Sequence, residues 1–198
     1  MAWSSSSRMR NRAATSSAPR KPTAAALAAA VGKGIRDVVA PGLRVLFVGI
    51  NPGLYTAATG HHFARPGNRF WPALHAAGFS ERLLHPSEQR ELLKRGYGIT
   101  NLVNRASAAA QELEPAEFLA GRARLAAKVR RLRPRVVAFL GMGAYCHAFG
   151  LARAAVGEQP ARFEGARVWV LPNPSGLNAN YQLPALVKLF RALKRATD

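Results

Sequence analysis

From about residue 37 onward, short apolar runs alternate with stretches of helical spacing. LRVLFVGI at 43–50 and RVVAFLG at 135–141 are β-branched and aromatic, are bounded by Gly or Pro, and lack a clean in–out alternation. That is the pattern of strands covered on both faces. RVWVLP at 167–172 reads as a third strand, and GYGITNLV at 96–103 contains a shorter fourth. Helical spacing appears in NRFWPALHAAGF at 68–79, SEQRELLKRG at 87–96, PAEFLAGRARLAAKVRRLRP at 115–134 and the amphipathic PALVKLFRALKRA near the end. In the second of these, Ser87 stands as a cap, and Glu91 and Arg95 as a pair across one turn. Strands alternating with helices predict an α/β fold, a three-layer α/β/α domain around a central, mostly parallel four-stranded sheet.

The first residues break this rhythm. MAWSSSSRMRNRAATSSAPRKP is polar, Ser-rich and cationic without periodicity, so it cannot bury enough surface to offset its ordering entropy. Residues 1–22 are expected to be a disordered basic tail, 23–36 a linker or short helix, and 37–198 the folded domain.

Charge changes the picture more than composition does. The chain carries 29 Lys and Arg against 10 Asp and Glu, a formal net charge of +19. Arg8, Arg10, Arg12, Arg20, Lys21, Lys33 and Arg36 all precede the first acid, Asp37. A field this positive attracts polyanions and makes nucleic acid the leading class of partner. The single cysteine, Cys146, excludes an internal disulfide and any four-cysteine metal site, and it fits a reducing compartment. No run approaches the roughly 20 apolar residues that cross a bilayer.

In such sheets ligands bind outside the carboxyl ends of the strands. VGINPG follows the first strand and LPNPSG follows the last, so two Asn-Pro loops should open on one edge of the sheet. By itself an Asn-Pro-Gly turn is an ordinary turn former. The full pattern is more specific. VGINPGLYTAATGHHFARPGNRFW at 48–71, the central GITNLV, and VLPNPSGLNANYQLP at 170–184 closely resemble the mismatch-specific uracil-DNA glycosylase and thymine-DNA glycosylase family, over roughly residues 37–195.

That resemblance implies a uracil-DNA glycosylase-like fold. It also implies a monofunctional DNA glycosylase of base excision repair, which flips uracil opposite guanine out of the helix and hydrolyses its N-glycosidic bond. Asn51 falls at the water-positioning residue. Ile50, Gly53, Thr56, Phe63 and Asn101 fall on the base pocket, with Phe63 stacking on the base and backbone donors near Ile50 and Phe63 meeting its carbonyl edges. Gly53 stands where uracil-specific relatives carry a Tyr that crowds C5, which implies tolerance of ethenocytosine and, more weakly, thymine. Leu177 falls at the intercalating wedge, with Gly176 and Asn178 presented to the widowed guanine. The implied partner is double-stranded DNA containing a mismatched or damaged base; a monomer without cofactor, metal or membrane is expected, in the cytoplasm of a bacterium and associated with its nucleoid.

Two rivals stay open: a preference for deaminated purines within the same fold, and a lesion-binding protein that flips bases with little catalysis. Other motifs weigh less. His61 and His62 lack a Cys or carboxylate at metal-ligand spacing. Gly141-Met-Gly143 lacks the third Gly and the distant acid of a dinucleotide fingerprint. The Arg-rich face of the helix ending near Arg133 reads either as phosphate contacts or as a solvated surface.

Overall fold

The computed structural model describes residues 21–198. The basic tail expected at 1–22 lies, apart from its last two residues, outside the described residues. The apolar runs become β1 (Val45–Gly49), β2 (Tyr97–Asn101), β3 (Val136–Leu140) and β5 (Ala166–Leu171), almost entirely buried, because their backbone groups pair within the sheet and both faces are covered. With β4 (Gly157–Phe163) at one edge, the sheet order is β2-β1-β3-β5-β4, parallel throughout except for the last pair.

The sheet has five strands, where four were expected. The additional one, β4 (Gly157–Phe163), has the sequence GEQPARF and is largely exposed. It carries no apolar run because it is an antiparallel edge strand, joined to β5 by a tight turn in which Glu164 and Gly165 both adopt positive φ (50° and 84°). That is the two-residue hairpin geometry whose twist matches the flanking strands. Pro160 and a register shift between Gln159 and Arg162 blunt its outer edge against further pairing.

Period-2 geometry sends successive side chains to opposite faces. Val45, Phe47, Val136 and Ala138 pack against α3 (Phe70–Ala76) and α6 (Leu183–Thr197), whereas Leu46, Val48, Val137 and Phe139 pack against α4 (Pro115–Leu132) and α5 (Met142–Phe149). The result is the three-layer α/β/α architecture. Phe47 sits at its centre, its ring edge-on to Phe70 at 5.5 Å and to Phe79 at 5.4 Å, and stacked near Phe190 at 6.1 Å. Truncating such a residue costs about 3 to 5 kcal/mol.

Three local expectations are corrected. Residues 86–95 form a 3₁₀ helix capped by His85 and not by Ser87, since Pro86 at its first position leaves His85 as the last extended residue. Glu91 pairs with Lys94, and Arg95 turns instead to Glu81, because 3₁₀ geometry aligns i with i+3 and not with i+4. The helix expected over 68–79 is only Phe70–Ala76: the Asn68 side chain caps the Phe70 N–H at 2.9 Å, and Gly78, at φ 88°, breaks the other end.

Ahead of β1, α1 (Ala24–Ala28) is capped by the Thr23 hydroxyl, and the chain then runs back along the loop after β2. The Gly32 N–H donates to Ala106 O, the Ala106 N–H to Lys33 O, and the Ile35 N–H to the Asn104 side chain. Ala30 and Ile35 are buried there. Among the described residues no helix is long and apolar enough to cross a membrane.

Candidate active site

Gly49, Asn101 and Leu171 end their strands at one edge of the sheet, and register places Gly49 directly opposite Asn101. A cavity of about 380 Å³ opens there. Ile50, Asn51, Gly53, Thr56, Phe63 and Asn101 line it from one side, and Leu177 and Asn178 approach from the loop after β5. Gly176 does not line the cavity. Its role in the structure is steric: a Cβ there would lie 2.5 Å from the Gly67 carbonyl oxygen, so this loop packs on the 63–69 segment only through a glycine.

Asn51 leaves the sheet just before Pro52, which biases it to an extended conformation and turns its side chain across the strand ends. Its Nδ2 donates to the Arg105 carbonyl at 2.9 Å and to Ser107 Oγ at 2.8 Å. Ser107 Oγ in turn donates to Ala109 O at 2.7 Å, which leaves it an acceptor toward Asn51. With acceptors around the nitrogen, the amide can be oriented only one way. Oδ1 has no protein donor among the described residues and is the atom left for the cavity. Such an oxygen accepts a hydrogen bond from water but takes no proton at neutral pH. The Arg105 carbonyl is steadied from behind, since its guanidinium grips Glu117 at 2.7 and 2.8 Å and holds that carboxyl down to about 2. Neither Arg105 nor Ser107 was legible in advance; RASAAAQ looks like any polar loop.

Phe63 adopts φ 55°, a left-handed conformation that costs a non-glycine residue roughly 1 to 3 kcal/mol. Its neighbours impose this. The Gln89 carboxamide accepts from the His62 N–H at 2.8 Å and donates to Gly60 O at 3.2 Å, while Trp71 Nε1 donates to His62 O at 3.0 Å. The Phe63 ring is then stacked on Phe70 with centroids 4.1 Å apart. Gly49 makes room for it: a Cβ on Gly49 would meet Phe63 Cζ at 3.3 Å and Asn101 Oδ1 at 2.6 Å. The backbone N–H groups of Ile50 and Phe63 donate to no protein acceptor among the described residues, and the Asn101 amide is likewise without a protein partner.

His62 is buried, and burial is the main cause that lowers its pKa below 6.5. Its Nε2 donates to Arg36 O at 3.1 Å, which fixes the tautomer and leaves Nδ1 unprotonated in the neutral ring. Arg36 is held by its neighbour Asp37, which pairs with Lys128 at 2.5 Å and accepts from Thr100 Oγ1 at 2.6 Å. His62 is thus part of the cavity wall; among the described residues no three His, Cys, Asp or Glu side chains gather as metal ligands.

The wall at Gly53, which precedes α2 (Leu54–Thr59), is open. No atom lies within 4 Å of a Cβ built there, and its φ of −71° suits any residue. On the loop after β5, Leu177 is 75% exposed, the most exposed large apolar side chain among the described residues.

With this geometry in place, comparison with known proteins identifies the group. Residues 36–194 match the family model of the Uracil DNA glycosylase superfamily. The chain belongs to that superfamily. Its members are DNA glycosylases, hydrolases of the bond between base and deoxyribose, and DNA is their substrate. Among solved structures, this chain is similar to a solution NMR structure from Methanosarcina acetivorans of a "putative Uracil DNA glycosylase", with a TM-score of 0.54, 18% sequence identity, and coverage of 83% of this chain and 99% of that one. At that identity the likeness speaks for the fold, and the superfamily's central sheet with flanking helices is the architecture described above.

Proposed function

We propose that this superfamily member is a monofunctional, mismatch-specific glycosylase, removing uracil opposite guanine, ethenocytosine, and thymine more slowly. The observation that carries the reading is the Asn51 amide, whose nitrogen is tied to Arg105 O and Ser107 Oγ while its oxygen is left for the cavity.

Flipping a nucleotide costs a few kcal/mol, least for a mismatched base. The flipped base slides onto Phe63, and such stacking is worth about 1 to 3 kcal/mol. The free N–H groups of Ile50 and Phe63 meet its carbonyl edge and take up the charge that grows on the departing base, as donors fixed in advance do in an oxyanion hole. As the sugar becomes oxocarbenium-like, Asn51 Oδ1 orients water toward it. Because an amide is no base, the step forgoes the roughly 10²- to 10⁴-fold that general-base catalysis provides, and chemistry is slow. The open wall at Gly53 supports room for C5 substituents and fused rings. Thr56 and Asn101 complete the pocket. Leu177 fills the vacated stack as an apolar wedge, with Gly176 and Asn178 facing the widowed guanine.

The same space supports a second preference, for deaminated purines. We propose further that the enzyme works as a monomer, without cofactor or membrane, in a bacterial cytoplasm on nucleoid DNA.

Excess protein incubated with an end-labelled duplex carrying one guanine–uracil pair, followed by alkali, tests the reading. Strand scission at the uracil that vanishes in Asn51→Ala supports it. Tight binding without scission, repeated with ethenocytosine and hypoxanthine, replaces it with a lesion-binding protein.

A further inference from the structure

One guanidinium organises the loop that carries Leu177. Arg69 Nη1 donates to Ser175 O at 3.1 Å, to Asn178 O at 2.9 Å and to Tyr181 O at 3.2 Å. Its Nη2 donates to Gly176 O at 3.2 Å and to Gln182 Oε1 at 2.9 Å. The Arg69 backbone N–H adds a bond to Pro174 O at 2.8 Å. Among the described residues no carboxylate pairs with Arg69, so its charge is satisfied by the loop alone.

This arrangement is directional. Carbonyls that would otherwise turn outward to water converge on one cation, and the chain between them is forced to bow out with Leu177 at its tip. Local bonds shape the same turn: the Ser175 N–H donates to Asn173 Oδ1, the Asn178 N–H to Ser175 O, and Asn178 Nδ2 to Asn173 O. None of these, however, ties the turn to the rest of the protein. Arg69 does, and it sits six residues after Phe63, at the start of α3. Gly176 resting on the Gly67 carbonyl closes the seam between the two loops. The base-stacking segment and the Leu177 loop are therefore joined at Arg69. Only arginine suits the position: its planar fork offers five donors, whereas a lysine ammonium offers three from a single point.

We infer that Arg69 is a positioning residue that holds Leu177 extended before DNA arrives, so that insertion into the stack costs no loop ordering. The inference rests on the reading of Leu177 as the wedge.

Its test compares Arg69→Gln, Arg69→Lys, Leu177→Ala and the Arg69→Gln/Leu177→Ala double variant in single-turnover excision of uracil from a guanine–uracil duplex and from single-stranded DNA, alongside hydrogen exchange of residues 173–182. Arg69→Gln should slow duplex excision about 10-fold, the scale of a misplaced positioning group, and single-strand excision far less. Arg69→Lys should recover only part of the loss. In the Leu177→Ala background, Arg69→Gln should change the duplex rate by no more than about 2-fold, because the side chain it positions is gone. Exchange should quicken within 173–182 and not across the sheet. Equal losses on both substrates, additive losses in the double variant, or unchanged exchange in the loop would each overturn the inference. If the unsubstituted protein excises no uracil from either substrate, the functional reading fails instead, and the exchange measurement still decides whether Arg69 holds the loop. Should Arg69→Gln not fold, Arg69→Lys supplies the same comparison.

Discussion

Asn51 Nδ2 lies 2.8 Å from Ser107 Oγ, and Ser107 directs its own proton to Ala109 O. This relay, from a loop more than fifty residues away, dictates which atom of the Asn51 amide faces the cavity. Removing the hydroxyl in Ser107→Ala leaves the Arg105 carbonyl as the one strong anchor and lets the amide rotate. Single-turnover excision of uracil is expected to fall about 10-fold, with duplex affinity retained. Rate and affinity measured together check this; an unchanged rate would show that Asn51 needs no such anchor.

The same surroundings govern Asn51→Asp. A carboxylate oxygen in place of Nδ2 would face the Arg105 carbonyl and the Ser107 oxygen, both acceptors. Hydrogen bonding then favours the neutral acid, which raises the carboxyl pKa. Excision by this variant should rise with pH along a limb whose midpoint lies above about 4, the ordinary aspartate value. A rate flat from pH 5 to 8 would show that Ser107 turns to donate.

Gly53 tests the pocket wall. Since nothing lies within 4 Å of a Cβ there and the backbone is unstrained, Gly53→Tyr should leave the melting temperature nearly unchanged. The ring should nevertheless occupy the open side of the cavity and cut excision of thymine and ethenocytosine more than that of uracil. A proportional loss on all three would place the C5 boundary elsewhere.

His62 sets a pH dependence of stability. Its folded pKa lies below 6.5, first because of burial, with Lys128 and His61 opposing protonation and Arg36 O and Asp37 favouring it. The unfolded chain therefore takes up a proton that the folded one resists, so the stabilisation is complete above about 6.5 and is lost as pH falls. His61, lowered by burial and then by His85, acts in the same direction. Urea midpoints should drop between pH 7.5 and 5.5, less steeply in His62→Asn. This window lies above that of the carboxylates: Glu88 and Glu117 are held at about 2, so their contribution is present above the unfolded value of 4.5 and is lost progressively as pH falls from there toward 2.

The basic tail makes a prediction from charge alone. Residues 1–22 contribute Arg8, Arg10, Arg12, Arg20 and Lys21 without an acid. If they neutralise phosphates, deleting them should flatten the dependence of DNA affinity on salt by about 0.9 in log–log slope for each phosphate no longer neutralised, while sparing excision. An unchanged slope would mean that the tail does not touch DNA.

What the sequence by itself determined is what short-range patterns encode. Buried parallel strands write continuous apolar runs, so β1, β2, β3 and β5 were legible, and with them the edge on which the two Asn-Pro loops open. β4 was not, since GEQPARF is held by a hairpin turn and its pairing with β5, not by burial of its own. Asn51, Phe63 and Leu177 stood out through their motifs, and the structure brings all three to one cavity. Only the tertiary structure decided how they are held. The orientation of Asn51 depends on Ser107, the left-handed backbone of Phe63 on Gln89 and Trp71, and the projection of Leu177 on Arg69. Each of these partners is separated from its target by many residues or reaches it through a backbone carbonyl, and a carbonyl has no letter in the sequence.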